Sequence, residues 1–179
     1  MARHRFHGDP RRFDVPAAFV NDRWGTGVHY IADVAGGQGM LSRILRKKYN
    51  YDSEVVDPRG YVLKGVPNRA EEFAAGTADY YDLIIGLHAD EASRAVAEAG
   101  LTRKSVLVPC CNFWSREMLG QDELVAAIEG YYSDNGVAYE RVIFPFKRPK
   151  NIGIITEPLH GRRSAIAEPP CGDKHHLPA

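Results

Sequence analysis

Between His29 and Gly39 the chain reads His-Tyr-Ile-Ala-Asp-Val-Ala-Gly-Gly-Gln-Gly, an apolar run that breaks into a turn rich in glycine. Tyr30 to Val34 has the content of a strand, and Met40 to Lys48 follows with apolar residues at helical spacing, Leu41, Ile44 and Leu45. A strand, a glycine turn and a helix form a cradle for part of a nucleotide. Glycines let the backbone approach a ligand, and the first helical N–H groups point at it. The next run, Ser53 to Asp57, reads as a second strand ending in a carboxylate. Asp57 lies 18 residues after Gly39, where such folds place the acid that takes two ribose hydroxyls. A tight strand-to-helix connection without a ligand has the same outline, so the spelling matters. No Gly-Lys-Ser/Thr is present, which excludes a P-loop, and Gly37-Gln38-Gly39-Met40-Leu41-Ser42 lacks the last glycine of a dinucleotide fingerprint.

What stands there is Asp33-x-Ala35-x-Gly37-x-Gly39. This resembles motif I of the class I S-adenosylmethionine (SAM) methyltransferases, with Ala35 in place of their first glycine. An acid beside the turn suits the cationic amino group and sulfonium of SAM and would repel a pyrophosphate. Two further segments, Gly86-Leu87-His88-Ala89-Asp90 and Val108-Pro109-Cys110-Cys111, look like the GLH and VPCC signatures of a methyltransferase group that includes a tRNA ribose 2′-O-methyltransferase. The resemblance covers about residues 27 to 157. It implies a Rossmann-like α/β fold: a seven-stranded, mainly parallel sheet with an antiparallel last strand and helices on both faces. It also implies SAM as cofactor, and RNA less firmly as acceptor. The Asn-Pro-Pro-Tyr-type motif of amino-group methyltransferases is missing after the fourth strand, which counts against base amines and glutamine amides.

The run of elements agrees. Tyr61 to Val66 reads as a third strand closed by Pro67, and Tyr81 to Leu87 is a continuous apolar run of the kind buried on both faces of a parallel sheet. A helix with Ala92, Ala95, Val96 and Ala99 on one stripe follows, with Asp90 as its cap and Gly100 as its stop. Ser105 to Val108 is a fifth strand and Glu123 to Tyr132 a helix stopped at Asn135-Gly136. Ala138 to Phe146 and Asn151 to Glu157 form an antiparallel hairpin. Residues 1–24 read as a loosely ordered basic arm, 25–157 as the SAM-binding domain, and 158–179 as a tail.

Charge gives no global pull toward nucleic acid or membrane, because 23 basic and 23 acidic side chains cancel in the 179 residues. No apolar run approaches the length of a membrane span, and no signal peptide is expected from Met1-Ala2-Arg3-His4-Arg5. Three cysteines, two of them adjacent, make no disulfide framework. A cytoplasmic setting with reduced thiols is expected.

Ligands of open α/β sheets bind beyond the carboxyl ends of the strands. The cofactor-binding candidates are therefore Asp33, Ala35, Gly36, Gly37 and Gly39, with Asp57, Pro58 and His88. Asp33 and the glycines would hold the methionine end of SAM, and Asp57 its ribose. The catalytic candidates are His88, Asp90 and Cys110. His88 either serves as a base near neutral pH or bonds backbone beneath the site. Asp90 is a helix cap or an acid. Cys110 or Cys111 is a nucleophile, if a thiol pKa is lowered, or a small residue packed at a strand end. Cys171, His175 and His176 match no standard zinc spacing, and no metal is expected. Arg11, Arg12, Lys147, Arg148 and Lys150, with Arg162 and Arg163, form a phosphate track if they share the crevice side. The alternatives to an RNA methyltransferase are a non-catalytic module that needs a protein partner and a small-molecule methyltransferase whose first 25 or so residues cover the acceptor.

Overall fold

The computed structural model describes residue 9, residues 11–147 and residues 150–158. Seven strands form one sheet: β1 Tyr30–Val34, β2 Asp52–Val56, β3 Asn68–Arg69, β4 Leu83–Leu87, β5 Lys104–Val108, β6 Tyr139–Ile143 and β7 Ile152–Thr156. Their order is β3-β2-β1-β4-β5-β7-β6. The first five run parallel, while β7 is antiparallel to both β5 and β6. This is the expected sheet, including the antiparallel last strand. Successive connections turn in opposite directions between β1 and β4, which opens a crevice at their carboxyl ends.

Alternation along the strands sorts the core into two layers. Ile31, Leu83, Ile85, Val106, Val108 and Ile155 face α1 (Arg11–Trp24) and α2 (Met40–Tyr49). Their neighbours Ala32, Ile84, Leu107 and Ile154 face α3 (Ser93–Ala99) and α4 (Gln121–Asp134). Helices thus cover both faces, as the unbroken apolar spelling of β4 requires. Each fully buried aliphatic side chain in these layers contributes about 1.5–3 kcal/mol.

Residues 11–24 depart from the expected loose arm. They form α1, whose Ala17 and Val20 are fully buried with Val28 and Leu45 in the layer beside α2. Arginines and a proline hide the helical stripe in the sequence, but Phe13, Ala17, Val20 and Trp24 recur at helical spacing. Arg23 then ties the end of α1 to the hairpin, through Glu140 on β6 at 2.7 Å and Glu157 at 2.6 Å.

The third strand is also displaced. Tyr61 to Val66 is loop, and only Asn68–Arg69 pairs with β2. Gly60 and Gly65 interrupt the run with positive φ, and Leu63 donates its N–H to Gln38 O, which draws the loop over the glycine turn. Pro67 does not close the ladder, because its carbonyl still accepts the N–H of Val55. Among the described residues no helix is long and apolar enough to cross a membrane. Arg3, Arg5, Arg148, Arg162, Arg163, Cys171, His175, His176 and all but the first residue of the expected tail lie outside the described residues.

Candidate active site

The turn after β1 is held from below by Asp33. Its Oδ2 accepts the N–H of Ser42 at 3.1 Å and the Ser42 hydroxyl at 3.0 Å. Ser42 belongs to α2, so the carboxylate joins the end of β1 to the first turn of the helix. Asp33 is only 1% exposed. Burial pushes its pKa up to about 6 against the opposing effect of the Ser42 hydrogen bonds. A Cβ on Gly36 would lie 2.5 Å from the Asp33 carboxyl carbon, so the absence of a side chain at position 36 is what admits the carboxylate. Asp33 therefore buttresses the turn and does not stand in the crevice wall, where the expected cation contact would need it.

Ala35 and Gly37 both adopt left-handed backbone, with φ of 52° and 57°. Ala35 does so where the motif it resembles has a glycine, at a cost of roughly 1–2 kcal/mol. Its N–H donates to Val56 O at 2.9 Å, which stitches the turn to the end of β2. Gly37 completes the joint by donating its N–H to Asp57 Oδ2 at 3.0 Å.

Asp57 is the most heavily engaged acid of the site. Its Oδ1 accepts the backbone N–H and the Nε of Arg59, each at 2.9 Å, and its Oδ2 accepts Arg59 Nη2 at 2.6 Å. Burial opposes ionisation here, but the Arg59 hydrogen bonds outweigh it and hold the carboxyl below its usual range. Asp57 is thus a carboxylate with a fork-shaped guanidinium laid across it. The Arg59 side chain is 65% exposed against 1% for Asp57, so the buried partner is fixed and the exposed one is free to leave.

Above this joint lies a crevice of about 680 Å³, within the range of ligand sites. Ala35, Val56, Asp57, Pro58 and Arg59 form one side, with Phe73 behind them. Ala89, Asp90 and Glu91 after β4, Arg94 and Glu98 on α3, and Phe113 after β5 form the other. Ala35 of the turn after β1, the end of β2 and the turn after β4 meet in this lining, whereas Gly36, Gly37, Gly39, His88 and Cys110 are not part of it and Phe113 alone reaches it from the loop after β5. Gly36 and Gly39 support the turn from within, since a Cβ on Gly39 would meet Val55 and Val66 side chains at 2.8 and 2.9 Å.

His88 faces away from this space toward the hairpin. Its Nε2 lies 2.9 Å from Lys150 O. A carbonyl only accepts, so Nε2 carries the proton. Burial first, then the charge of Arg12, holds the His88 pKa below its ordinary value despite the favourable Lys150 carbonyl. The imidazole is therefore neutral near pH 7 and ties the end of β4 to the segment before β7.

Asp90 is not the cap of α3. A 3₁₀ turn, Asp90–Ala92, intervenes, and the helix starts at Ser93 with no side-chain cap. The Asp90 backbone has φ of 44°, and its Oδ1 accepts the Cys110 thiol at 2.9 Å. Burial first, and then this carboxylate, raises the Cys110 pKa. Cys110 is held as a thiol, the opposite of what a thiolate nucleophile requires.

Sequence reasoning assigned no role to Arg59, Phe73, Arg94 or Phe113. Arg59 carried a signal: two residues beyond an acid, with Pro58 bending the chain, it can fold back onto that acid. Arg94 sits 4.4 Å over the Trp114 ring and donates to Trp114 O at 3.1 Å, so α3 fixes the loop that carries Phe113.

No protein-family model and no curated protein matches the sequence. Solved structures do. A chain of the Pnkp1/Rnl/Hen1 RNA repair complex superposes with a TM-score of 0.52 at 13% identity, over 82% of this chain and 41% of that one. The sugar N-methyltransferase KedS8 from Streptoalloteichus matches at 0.48 and 13%, over 87% and 96% of the two chains. A SAM-dependent methyltransferase from Aquifex aeolicus matches at 0.47 and 16%, over 83% and 93%. The likeness is one of fold, and it agrees with the sheet order: the chain has a Rossmann-like α/β fold, with a seven-stranded sheet whose last strand is antiparallel.

Proposed function

We propose that this chain is a SAM-dependent methyltransferase that acts on RNA. The observation that carries the reading is the joint at Gly37 and Asp57, where a 3.0 Å hydrogen bond brings the glycine turn and an ionised carboxylate to one crevice. The residues fit a sulfonium nucleoside. Asp57 offers a carboxylate for ribose hydroxyls once Arg59 leaves it, Ala35 brings the turn after β1 to the crevice, and Val56, Pro58 and Phe73 give an apolar wall for a base. Bound SAM would supply an electrophilic methyl group. Asp33 acts through the turn, and His88 acts by fixing the β4 turn. Asp90, with Glu91 and Glu98, lines the side of the crevice that this reading gives to the acceptor.

RNA is favoured by the placement of the basic residues. Asp9 pairs with Arg11 at 2.9 Å and also accepts the Lys147 backbone N–H at 3.0 Å, so the start of α1 and the hairpin meet. Lys150 reaches Cys111 Sγ at 3.7 Å. Arg11, Arg12, Lys147 and Lys150 thus gather beside the β4 and β5 ends despite zero net charge. Cys110 and Cys111 are both free, in keeping with a reducing, cytoplasmic setting. One experiment sorts the acceptors: methyl incorporation from labelled SAM into the RNA, protein and small-molecule fractions of a cell extract. Label in RNA is expected. In a companion binding assay, Lys147→Ala with Lys150→Ala should make the salt dependence of RNA affinity shallower, by about 0.7 per lost phosphate contact on a single strand. Label in small molecules alone would overturn the RNA assignment.

A second reading, a binding module without catalysis that serves a protein partner, is favoured by one observation: Arg59 engages both oxygens of Asp57. It predicts that removing Arg59 brings no SAM binding, and that a stable partner copurifies.

A further inference from the structure

We propose that Asp90, Cys110 and Cys111 form a binding site for a thiophilic divalent cation of the Zn²⁺ class. Consecutive residues on a strand point to opposite faces. Here two consecutive thiols converge, with their sulfurs 3.5 Å apart. They do so because β5 ends at Val108 and the chain bends at Pro109, a bend held by the side chain of Gln121, which donates to Pro109 O at 2.9 Å.

The third donor arrives from another strand. His88 and Asp90 both take left-handed backbone, with φ of 58° and 44°. Non-glycine residues persist in that region where their surroundings fix them, and such residues gather at functional sites. The outcome is a carboxylate oxygen 2.9 Å from Cys110 Sγ. The three donor atoms all lie within 4.8 Å of one another. Tetrahedral zinc, with Zn–S near 2.3 Å and Zn–O of about 2.0–2.2 Å, sets its donors roughly 3.3–3.8 Å apart. The sulfur pair is close to that separation, and the Cys110 sulfur–oxygen pair, at 2.9 Å, needs to open by about 0.7 Å.

Two thiolates and a carboxylate exceed a divalent charge by one. Lys150, whose Nζ is 3.7 Å from Cys111 Sγ, is placed to offset the excess. Binding forms two metal–sulfur bonds and one metal–oxygen bond and releases two thiol protons, with no change of oxidation state. Three protein donors leave the fourth position of a tetrahedron open, the pattern of catalytic rather than structural sites. Asp90 also lines the crevice, so the site borders it. The site does not rest on the SAM reading: a cation binds here whether or not the glycine turn holds a cofactor.

The test uses reduced protein carrying Cys171→Ala, so that the adjacent pair supplies the only thiols. Co²⁺ titration should give a thiolate-to-metal charge-transfer band that saturates at one ion per chain and is lost on adding Zn²⁺. Zn²⁺ should also shield both thiols from an aromatic disulfide reagent. Cys110→Ser and Cys111→Ser should each weaken Zn²⁺ binding roughly tenfold or more, and Asp90→Asn should weaken it while keeping the band. Absence of the band together with unshielded thiols overturns the proposal, as does metal affinity that is unchanged in Cys110→Ser. If the serine variants do not fold, thiol shielding in the Cys171→Ala protein decides alone.

Discussion

Arg59 lies across the carboxylate of Asp57, with Nε on Oδ1 at 2.9 Å and Nη2 on Oδ2 at 2.6 Å. The acid expected to receive ribose hydroxyls is therefore already engaged by its own chain. A ligand at Asp57 has to displace an exposed guanidinium from a buried carboxylate. Such a pair, with one partner in solvent, is worth about 1 kcal/mol or less. Arg59→Ala is accordingly expected to tighten binding of SAM or S-adenosylhomocysteine by roughly threefold to fivefold, read by calorimetry. A loss of binding in this variant would make Arg59 a ligand contact instead.

The buried Asp33 predicts a pH effect of definite sign. Its folded pKa, about 6, stands above the ordinary 3.8, so the unfolded chain ionises first as pH rises. Stability contributed by the protonated carboxyl is complete below about pH 4 and is lost between there and about pH 6. Asp33→Asn still accepts from Ser42 and cannot ionise. Relative to wild type it should be near neutral at pH 4 and more stable by up to about 3 kcal/mol above pH 6. Denaturant melts across pH 4 to 7 measure the difference. If Asp33 held the cofactor directly, the variant would lose SAM affinity strongly, whereas a buttress predicts a small change.

Two neighbouring glycines separate packing from backbone strain. A Cβ on Gly36 would lie 2.5 Å from the Asp33 carboxyl, whereas one on Gly37 would meet only Arg59 Nη2, at 3.9 Å. Gly36→Ala should cost about 2 kcal/mol or more, through displacement of the buttress. Gly37→Ala should cost about 1–2 kcal/mol, through its left-handed φ. Thermal melts of the two variants test the order.

His88 is predicted to hold position rather than to move protons. Gln supplies an N–H for Lys150 O, so His88→Gln should keep the fold and leave the pH profile of methyl transfer unchanged, with activity within about threefold of wild type. An acidic limb, present in wild type and lost in this variant, would make His88 the base.

The sequence carries most of this architecture because its signals are local and redundant. Six of the seven strands lie in segments that the sequence marks, β1 and β4 as apolar runs, and the antiparallel ending follows from the closing hairpin, while the seven-stranded sheet is what the resemblance implies. The missed elements have particular causes. In α1 the apolar stripe of Phe13, Ala17, Val20 and Trp24 is narrow and lies among arginines and a proline. The true β3 is two residues long, and Asn68–Arg69 has no strand content of its own, because β2 alone imposes its pairing. At the site, which segments meet was legible from topology. The direction of each side chain was not: the Asp33 position depends on the space left by Gly36, and that of Asp90 on a left-handed turn that no spacing rule foretells.

The most direct measurement is calorimetric titration of folded wild-type protein with SAM and with S-adenosylhomocysteine, repeated on Asp57→Ala. Saturable binding at one site per chain is predicted for wild type, weakened at least about tenfold in the variant by loss of a buried acceptor for the ribose. Wild-type protein that binds neither compound, and Arg59→Ala protein that binds neither as well, would contradict a nucleoside pocket at the Gly37–Asp57 joint.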